Sequence, residues 1–163
     1  EPKNSEQIQF LYINSEAEIR YGLELASRYN FVPSFAIYEP GFLRLGAMLF
    51  GNTKGCPQPI YRFMFSDKLS FGFPAKEVYL LAYIDLLKQT NPEAVWMIAG
   101  LQVNLRGIIS TCLEAGGHIR TGLEDHYFYS ETGNLDLVRQ TAKIIINENY
   151  EIGTAAQIRQ RLA

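Results

Sequence analysis

The chain has 163 residues, room for one compact domain and too few for two ordinary ones. Apolar residues make up 47% and charged residues 20%, the balance of a folded globular chain and not of a disordered one. A net charge of −2, with Lys and Arg scattered, argues against nucleic acid or an anionic membrane as partner, and no apolar run approaches the roughly 20 residues that cross a bilayer.

The opening Glu1 to Glu6 is polar and lacks the apolar core of a signal peptide, so the cytoplasm is the expected address. Ile8 to Ile13 reads as a short extended segment. Ser15 and Glu18 form a capping-box pattern that opens a helix running to about Tyr29, with Ile19, Leu23 and Ala26 on one face. Val32 to Tyr38 reads as a strand ending at the turn Glu39-Pro40-Gly41. A helix over Phe42 to Phe50 and a loop from Gly51 to Pro59, rich in turn-forming residues, follow.

Ile60 to Phe65 is the next expected strand, and Ser66 to Pro74 its loop. The amphipathic stretch Lys76 to Gln89 reads as a helix stopped by Asn91-Pro92. Ala94 to Gly100 is a nearly continuous apolar run, the mark of a strand covered on both faces. Val103 to Ala115 reads as a helix closed by Gly116-Gly117, and His118 to Gly122 as the last strand. Two helices complete the chain: Leu135 to Asn149, capped by Asn134, and Thr154 to Leu162, with Thr154 and Gln157 as a second capping box. Cys56 and Cys112 lie far apart, form no metal-type pair and read as free thiols.

Strands alternating with helices at this spacing imply a parallel sheet of about four strands with right-handed crossovers. A closed barrel takes eight units and roughly 250 residues, so the pattern fits either a small open α/β domain or half of a TIM-type (β/α)8 barrel.

In such folds ligands gather at the carboxyl ends of strands. The loop after the last strand carries Glu124, Asp125 and His126 in a row, with Arg120 just upstream. Strand alternation puts His118, Arg120 and Gly122 on one face, and Glu124 joins them if the alternation persists. Two readings stay open. Arg120 and its carboxylates form a structural ion pair tying the strand to its loop, or the diverging side chains of Glu124 and Asp125 divide metal ligation and proton transfer between them. His126 reads as a solvated loop histidine or a further ligand. His118, at the strand's far end, reads as a structural histidine of the barrel floor. Phe71-Gly72-Phe73-Pro74 reads as a tight turn or a lid, and Tyr127, Phe128 and Tyr129 as packing or a pocket wall. There is no glycine-rich phosphate loop, nucleophile elbow or His-x-His pair.

Gly116-Gly-His-Ile-Arg-Thr-Gly-Leu-Glu-Asp125 closely resembles a Gly-Gly-His-(Val/Ile)-Arg-x-Gly-x-Glu-Asp segment of the β-keto acid cleavage enzymes, which include the 3-keto-5-aminohexanoate cleavage enzyme. The resemblance extends along the chain. Pro33 to Leu43 is similar to the family's fifth strand and turn, Pro59 to Phe63 and Phe71 to Pro74 to the sixth strand and its loop, Trp96 to Gly100 to the seventh strand, and Asn134 to Gln157 to the closing helices.

The resemblance implies a single domain over residues 1–163 forming the carboxyl-terminal half, strands five to eight, of a (β/α)8 barrel. It implies a zinc ion held by a His-x-His of the other half and by Glu124, with Arg120 as organiser and Asp125 in proton transfer. The implied substrates are a β-keto acid and acetyl-CoA, giving acetoacetate and a shorter acyl-CoA, with zinc as a Lewis acid at the keto oxygen.

Two positions depart from the family pattern. Gly100 to Leu105 lacks an arginine that relatives often carry after the seventh strand, and Ala36 replaces a carboxylate common in the fifth. With His118 and His126 the only histidines, the chain carries one of the three expected zinc ligands. The expected partner is accordingly a complementing amino-terminal half or a second copy, and the isolated chain is expected to be inactive. The alternatives are a non-catalytic, self-associating half-barrel and an independent metal site built from Glu124, Asp125 and His126.

Overall fold

The computed structural model describes residues 13–126 and 132–162. Helix α1 (Glu16–Tyr29) starts where the capping box requires: the Ser15 amide donates to Glu18 Oε2 at 2.8 Å and the Glu18 amide donates to Ser15 Oγ at 3.3 Å. Its buried face carries Leu23 and Ala26. The helix ends at Asn30, whose φ of 52° lies in the left-handed region that Asn tolerates.

Strand β1 (Ser34–Ile37) is shorter at both ends than the expected Val32 to Tyr38. Helix α2 (Pro40–Gly51) absorbs the expected turn, because a proline at the first helical position has a preset φ and lacks only an amide that would go unpaired there. Strand β2 (Ile60–Phe65), helix α3 (Glu77–Thr90) and strand β3 (Val95–Gly100) follow the sequence pattern to within a residue or two.

The expected helix from Val103 to Ala115 is instead a 3-10 turn (Leu105–Ile108) running into helix α4 (Ile109–Glu114). Asn104 caps that first turn by accepting the Arg106 amide at 3.0 Å, which tightens it away from α geometry. Strand β4 is two residues long (His118–Ile119), and helices α5 (Asn134–Asn147) and α6 (Ala155–Leu162) close the chain. Thr154 and Gln157 make the expected reciprocal cap, with the Gln157 amide donating to Thr154 Oγ1 at 3.3 Å and the Thr154 amide donating to Gln157 Oε1 at 2.7 Å. The expected segment Ile8 to Ile13 lies outside the described residues except for Ile13, which belongs to no strand.

The four strands are parallel and lie in chain order, β1-β2-β3-β4. This singly wound α/β arrangement is half of a TIM-type barrel. One sheet face, formed by Tyr61, Phe63, Phe65, Trp96 and Ile98, is buried with Leu80, Tyr83, Ile84 and Leu87 of α3. Phe63 is stacked with Tyr83 at 4.9 Å and with Trp96 at 5.3 Å between ring centroids. Each such side chain contributes on the order of 2 kcal/mol by leaving water. By strand alternation the other face carries Ala36, Arg62, Met64, Met97, Ala99, His118 and Arg120, the side that would look into a closed barrel. β3 is covered unevenly: Trp96, Ile98, Ala99 and Gly100 are buried, while Val95 and Met97 are half-buried. No helix among the described residues is long and apolar enough to cross a membrane.

Candidate functional site

The parallel strands deliver their carboxyl ends to one edge, where the chain after β4 folds back across the end of β3. Pairing between β3 and β4 covers only Met97↔His118 and Ile98↔Ile119, and the Arg120 amide still donates to Ile98 O at 2.9 Å. Beyond that point a side chain takes over from the ladder. Asp125 Oδ1 accepts the Gly100 amide at 2.8 Å, the hydrogen bond that a longer β4 would have competed for. This explains why the strand is shorter than the expected His118 to Gly122. The Val103 amide donates to the Asp125 carbonyl at 3.0 Å, so both ends of Asp125 fasten the loop to β3.

Arg120 fills the same corner. Its Nε donates to Asp125 Oδ1 at 2.8 Å, Nη2 lies 2.7 Å from the same oxygen, and Nη2 also donates to Gly100 O at 3.2 Å. Nη1 reaches Glu124 Oε2 at 2.7 Å. One guanidinium therefore holds both carboxylates, and the three residues named from sequence lie together.

The two acids differ in setting. Asp125 is 5% exposed, with three donors on Oδ1, whereas the Glu124 side chain is 53% exposed and is held through one oxygen. Asp125 Oδ2 and Glu124 Oε1 make no hydrogen bond with any described residue. Gly122 lies beside Oδ2, where an added Cβ would stand 3.9 Å from it. The arrangement thus sets one buried, anchored carboxylate beside a more exposed carboxylate at the rim. That division of labour suits a positioned proton acceptor beside a ligand for a cation.

His126 is half-buried next to the pair and its amide donates to Gly122 O at 3.1 Å. His118 sits at the opposite end of β4. Burial, with the Arg161 cation as a smaller cause, lowers its pKa from the ordinary 6.5, as befits a structural histidine. Tyr127, Phe128 and Tyr129, expected either to pack or to wall a pocket, lie outside the described residues. The Phe71 to Pro74 segment is a turn laid back on the sheet: Phe73 bridges to Phe65, and the Gly72 amide donates to Glu39 Oε1 at 2.8 Å. Gly72 has a φ of +78°, and any Cβ there would press on Tyr38 O at 3.2 Å.

Sequence reasoning missed two contributors. The backbone of Gly100 both donates to Asp125 and accepts from Arg120, which no residue-type signal reveals. Asn134 does not cap α5: Gly133 occupies that position without a side-chain cap, and Asn134 Oδ1 accepts the Leu123 amide at 2.9 Å, bracing the loop that carries Glu124.

The donor set does not make a zinc site among the described residues. No group of three or more His, Cys, Asp or Glu that could hold a metal occurs among the described residues. A catalytic zinc takes three protein ligands, and here Glu124 is held through Oε2 by Arg120 while Asp125 Oδ1 is engaged by Arg120 and Gly100. A cavity of about 50 Å³ beside the pair, lined by Arg120, Asp125, His126, Leu137 and Thr141 among others, admits a water or two and nothing of acyl-CoA size.

A family model described as beta-keto acid cleavage enzyme matches residues 3–163. Over 95 residues the chain is 32% identical to a protein of Cupriavidus necator named 3-oxoadipate:acetyl-CoA acetyltransferase, an alignment covering 56% of this chain and 34% of that protein. The chain thus spans about a third of the length of the curated relative it matches.

Proposed function

Because this chain belongs to the β-keto acid cleavage enzyme family, we propose that it forms the carboxyl-terminal half of a barrel enzyme that takes a β-keto acid and acetyl-CoA to acetoacetate and a shorter acyl-CoA. The name of the Cupriavidus necator relative makes 3-oxoadipate the first β-keto acid to try. The observation that carries the reading is the Arg120 clamp, which holds Glu124 and Asp125 at the carboxyl ends of β3 and β4, where barrel enzymes keep their chemistry.

In this reading Arg120 positions both acids. Asp125 Oδ2 accepts a proton from the substrate carbon between its keto and carboxylate groups, and the hydrogen bonds to Oδ1 keep the side chain from swinging away. Glu124 offers Oε1 to a zinc ion whose two histidine ligands come from the complementing half, and the bound ion supplies Lewis-acid stabilisation of enolate charge. Alone, the chain is inactive. The test is release of acetoacetate from 3-oxoadipate and acetyl-CoA, with the chain alone and after mixing with an amino-terminal half from a family member. Activity is expected only in the mixture, and is lost with Asp125→Asn or Glu124→Ala. A stable assembly of the two halves that releases no acetoacetate would reject the reading.

One observation favours a second reading. β1 and β4 each pair on one side only among the described residues, so two edges stand ready for another chain. A non-catalytic half-barrel that closes on a second copy uses the same edges. Light scattering separates the two: a self-paired dimer that refuses an amino-terminal half favours the second.

A further inference from the structure

Arg62 stands on the inner sheet face with a buried Nε that has no hydrogen-bond partner. No described carboxylate pairs with it. In register its neighbours on that face are Ala36 of β1 and, through β3, Met97, so the strands flanking it bring no counter-charge. Ala36 brings only a methyl group to that face. A buried guanidinium Nε without an acceptor, on a half-buried side chain, costs free energy unless an acceptor meets it.

The direction from which that anion comes follows from the register. Arg62 pairs with Met97, and Met97 with His118, so Arg62 lies one inward layer below Arg120 on the same face. Two residues of strand rise and two strand spacings put the backbones of Arg62 and Arg120 about 12 Å apart. On the same face Met64 and Ala99 are buried and Met97 is half-buried, so the strip between the two cations is apolar.

We infer that Arg62 is a specificity-determining residue that binds the distal carboxylate of a dicarboxylic β-keto acid whose reacting end lies at the Arg120 clamp. The inference rests on the reading of the chain as part of a β-keto acid cleavage enzyme, and it assigns a residue to the distal carboxylate of such a substrate. The guanidinium fork grips a carboxylate through two parallel hydrogen bonds, which gives both strength and orientation. A monocarboxylic substrate of equal length leaves Arg62 unpaired and is disfavoured.

The probe is adipate, a six-carbon diacid with no keto group to react, compared with hexanoate. Binding of each is titrated to the full chain and to its complex with an amino-terminal half, with circular dichroism reporting that each variant folds. Adipate is expected to bind about tenfold or more tightly than hexanoate. Arg62→Met should erase that preference, and Arg62→Lys should keep only part of it. Equal binding of the two acids, or a preference that survives Arg62→Met, overturns the inference. So does Arg62→Met loosening the assembly of the halves while adipate shows no preference, since Arg62 would then be meeting a protein carboxylate. Because adipate binding needs no turnover, absence of acetoacetate release leaves this test intact, and loss of adipate preference leaves the activity test intact.

Discussion

Phe63 and Asp125 are both buried, yet they hold their surroundings by opposite means. Phe63 has no exposed surface and stacks with Tyr83 and Trp96, so the β1–α3 region is joined to β3 by apolar area. Asp125 joins β3 to the chain after β4 through hydrogen bonds and an ion pair. The region beyond it has little apolar anchorage: α5 buries only Leu137, and α6 buries no residue. Polar tethers do the joining there, with Arg106 donating to Gln140 at 2.7 Å and Ser110 to Glu148 at 3.0 Å. The well-packed region supplies a rigid platform, and the polar one carries the groups able to bind and move protons. A site of this kind is precise only while its latch is closed.

The comparison can be broken from the apolar side first. Phe63→Ala removes a stacked, fully buried ring and should lower stability by about 3 to 5 kcal/mol in a urea titration. A loss below about 1 kcal/mol would mean the stack is not what binds β2, β3 and α3 together.

From the polar side, Asp125→Ala should cost about 3 kcal/mol, since it leaves the Gly100 amide and a partly solvated Arg120 without their acceptor. Amide exchange at Gly100 and Val103 should accelerate while exchange within β2 stays slow. Glu124→Ala sharpens the contrast: that side chain is 53% exposed, and its removal should cost less than about 1 kcal/mol. Equal losses for the two acids would refute the division between anchor and rim.

Gly117→Ala probes the seam between the regions. A methyl there meets the Trp96 ring and, at 2.8 Å, Cys112 Sγ, so a cost of about 1 to 3 kcal/mol is expected in the same titration. Cys112 itself is buried with its thiol pushed up to about 12 by desolvation, and it should resist thiol reagents until the chain unfolds.

The smallest expected effect is the pH dependence from His118. Its folded pKa is depressed, chiefly by burial and then by Arg161, so the unfolded chain takes up a proton more readily. Stability is therefore full above the unfolded value of 6.5 and declines as pH falls through it. The cleft it shares with Arg161 also holds Lys88 and Glu93. His118→Gln should flatten the curve between about pH 7 and 5, as followed by the urea midpoint. An unchanged slope would show that His118 is not the titrating group.

Much of the fold was legible because its signals are local. The reciprocal caps at Ser15 and Thr154, the alternation in Ile60 to Phe65 and the apolar run before Gly100 each need only neighbouring residues to be read. What was misread depends on partners far along the chain. Asn134 carries a side chain fit to cap a helix, yet it bonds the amide of Leu123, eleven residues earlier. β4 stops early because Asp125 takes the place of a ladder acceptor, a substitution that no periodicity encodes. The site divides the same way. Arg120 and Glu124 do meet, but across a turn and not by the strand alternation expected to carry Glu124 there, while the burial of Asp125 and the part played by the Gly100 backbone appeared only once β3 and β4 were side by side.

Under the proposed function, Arg120, Glu124 and Asp125 form one wall of a metal-dependent site completed by ligands from another chain segment. Zinc titration of the chain alone, and then of its complex with an amino-terminal half carrying a His-x-His, tests it most directly. The account predicts negligible binding alone, about one zinc per complex after mixing, and loss of that zinc with Glu124→Ala. Unchanged weak binding after mixing, or stoichiometric zinc held by the chain alone, would contradict it.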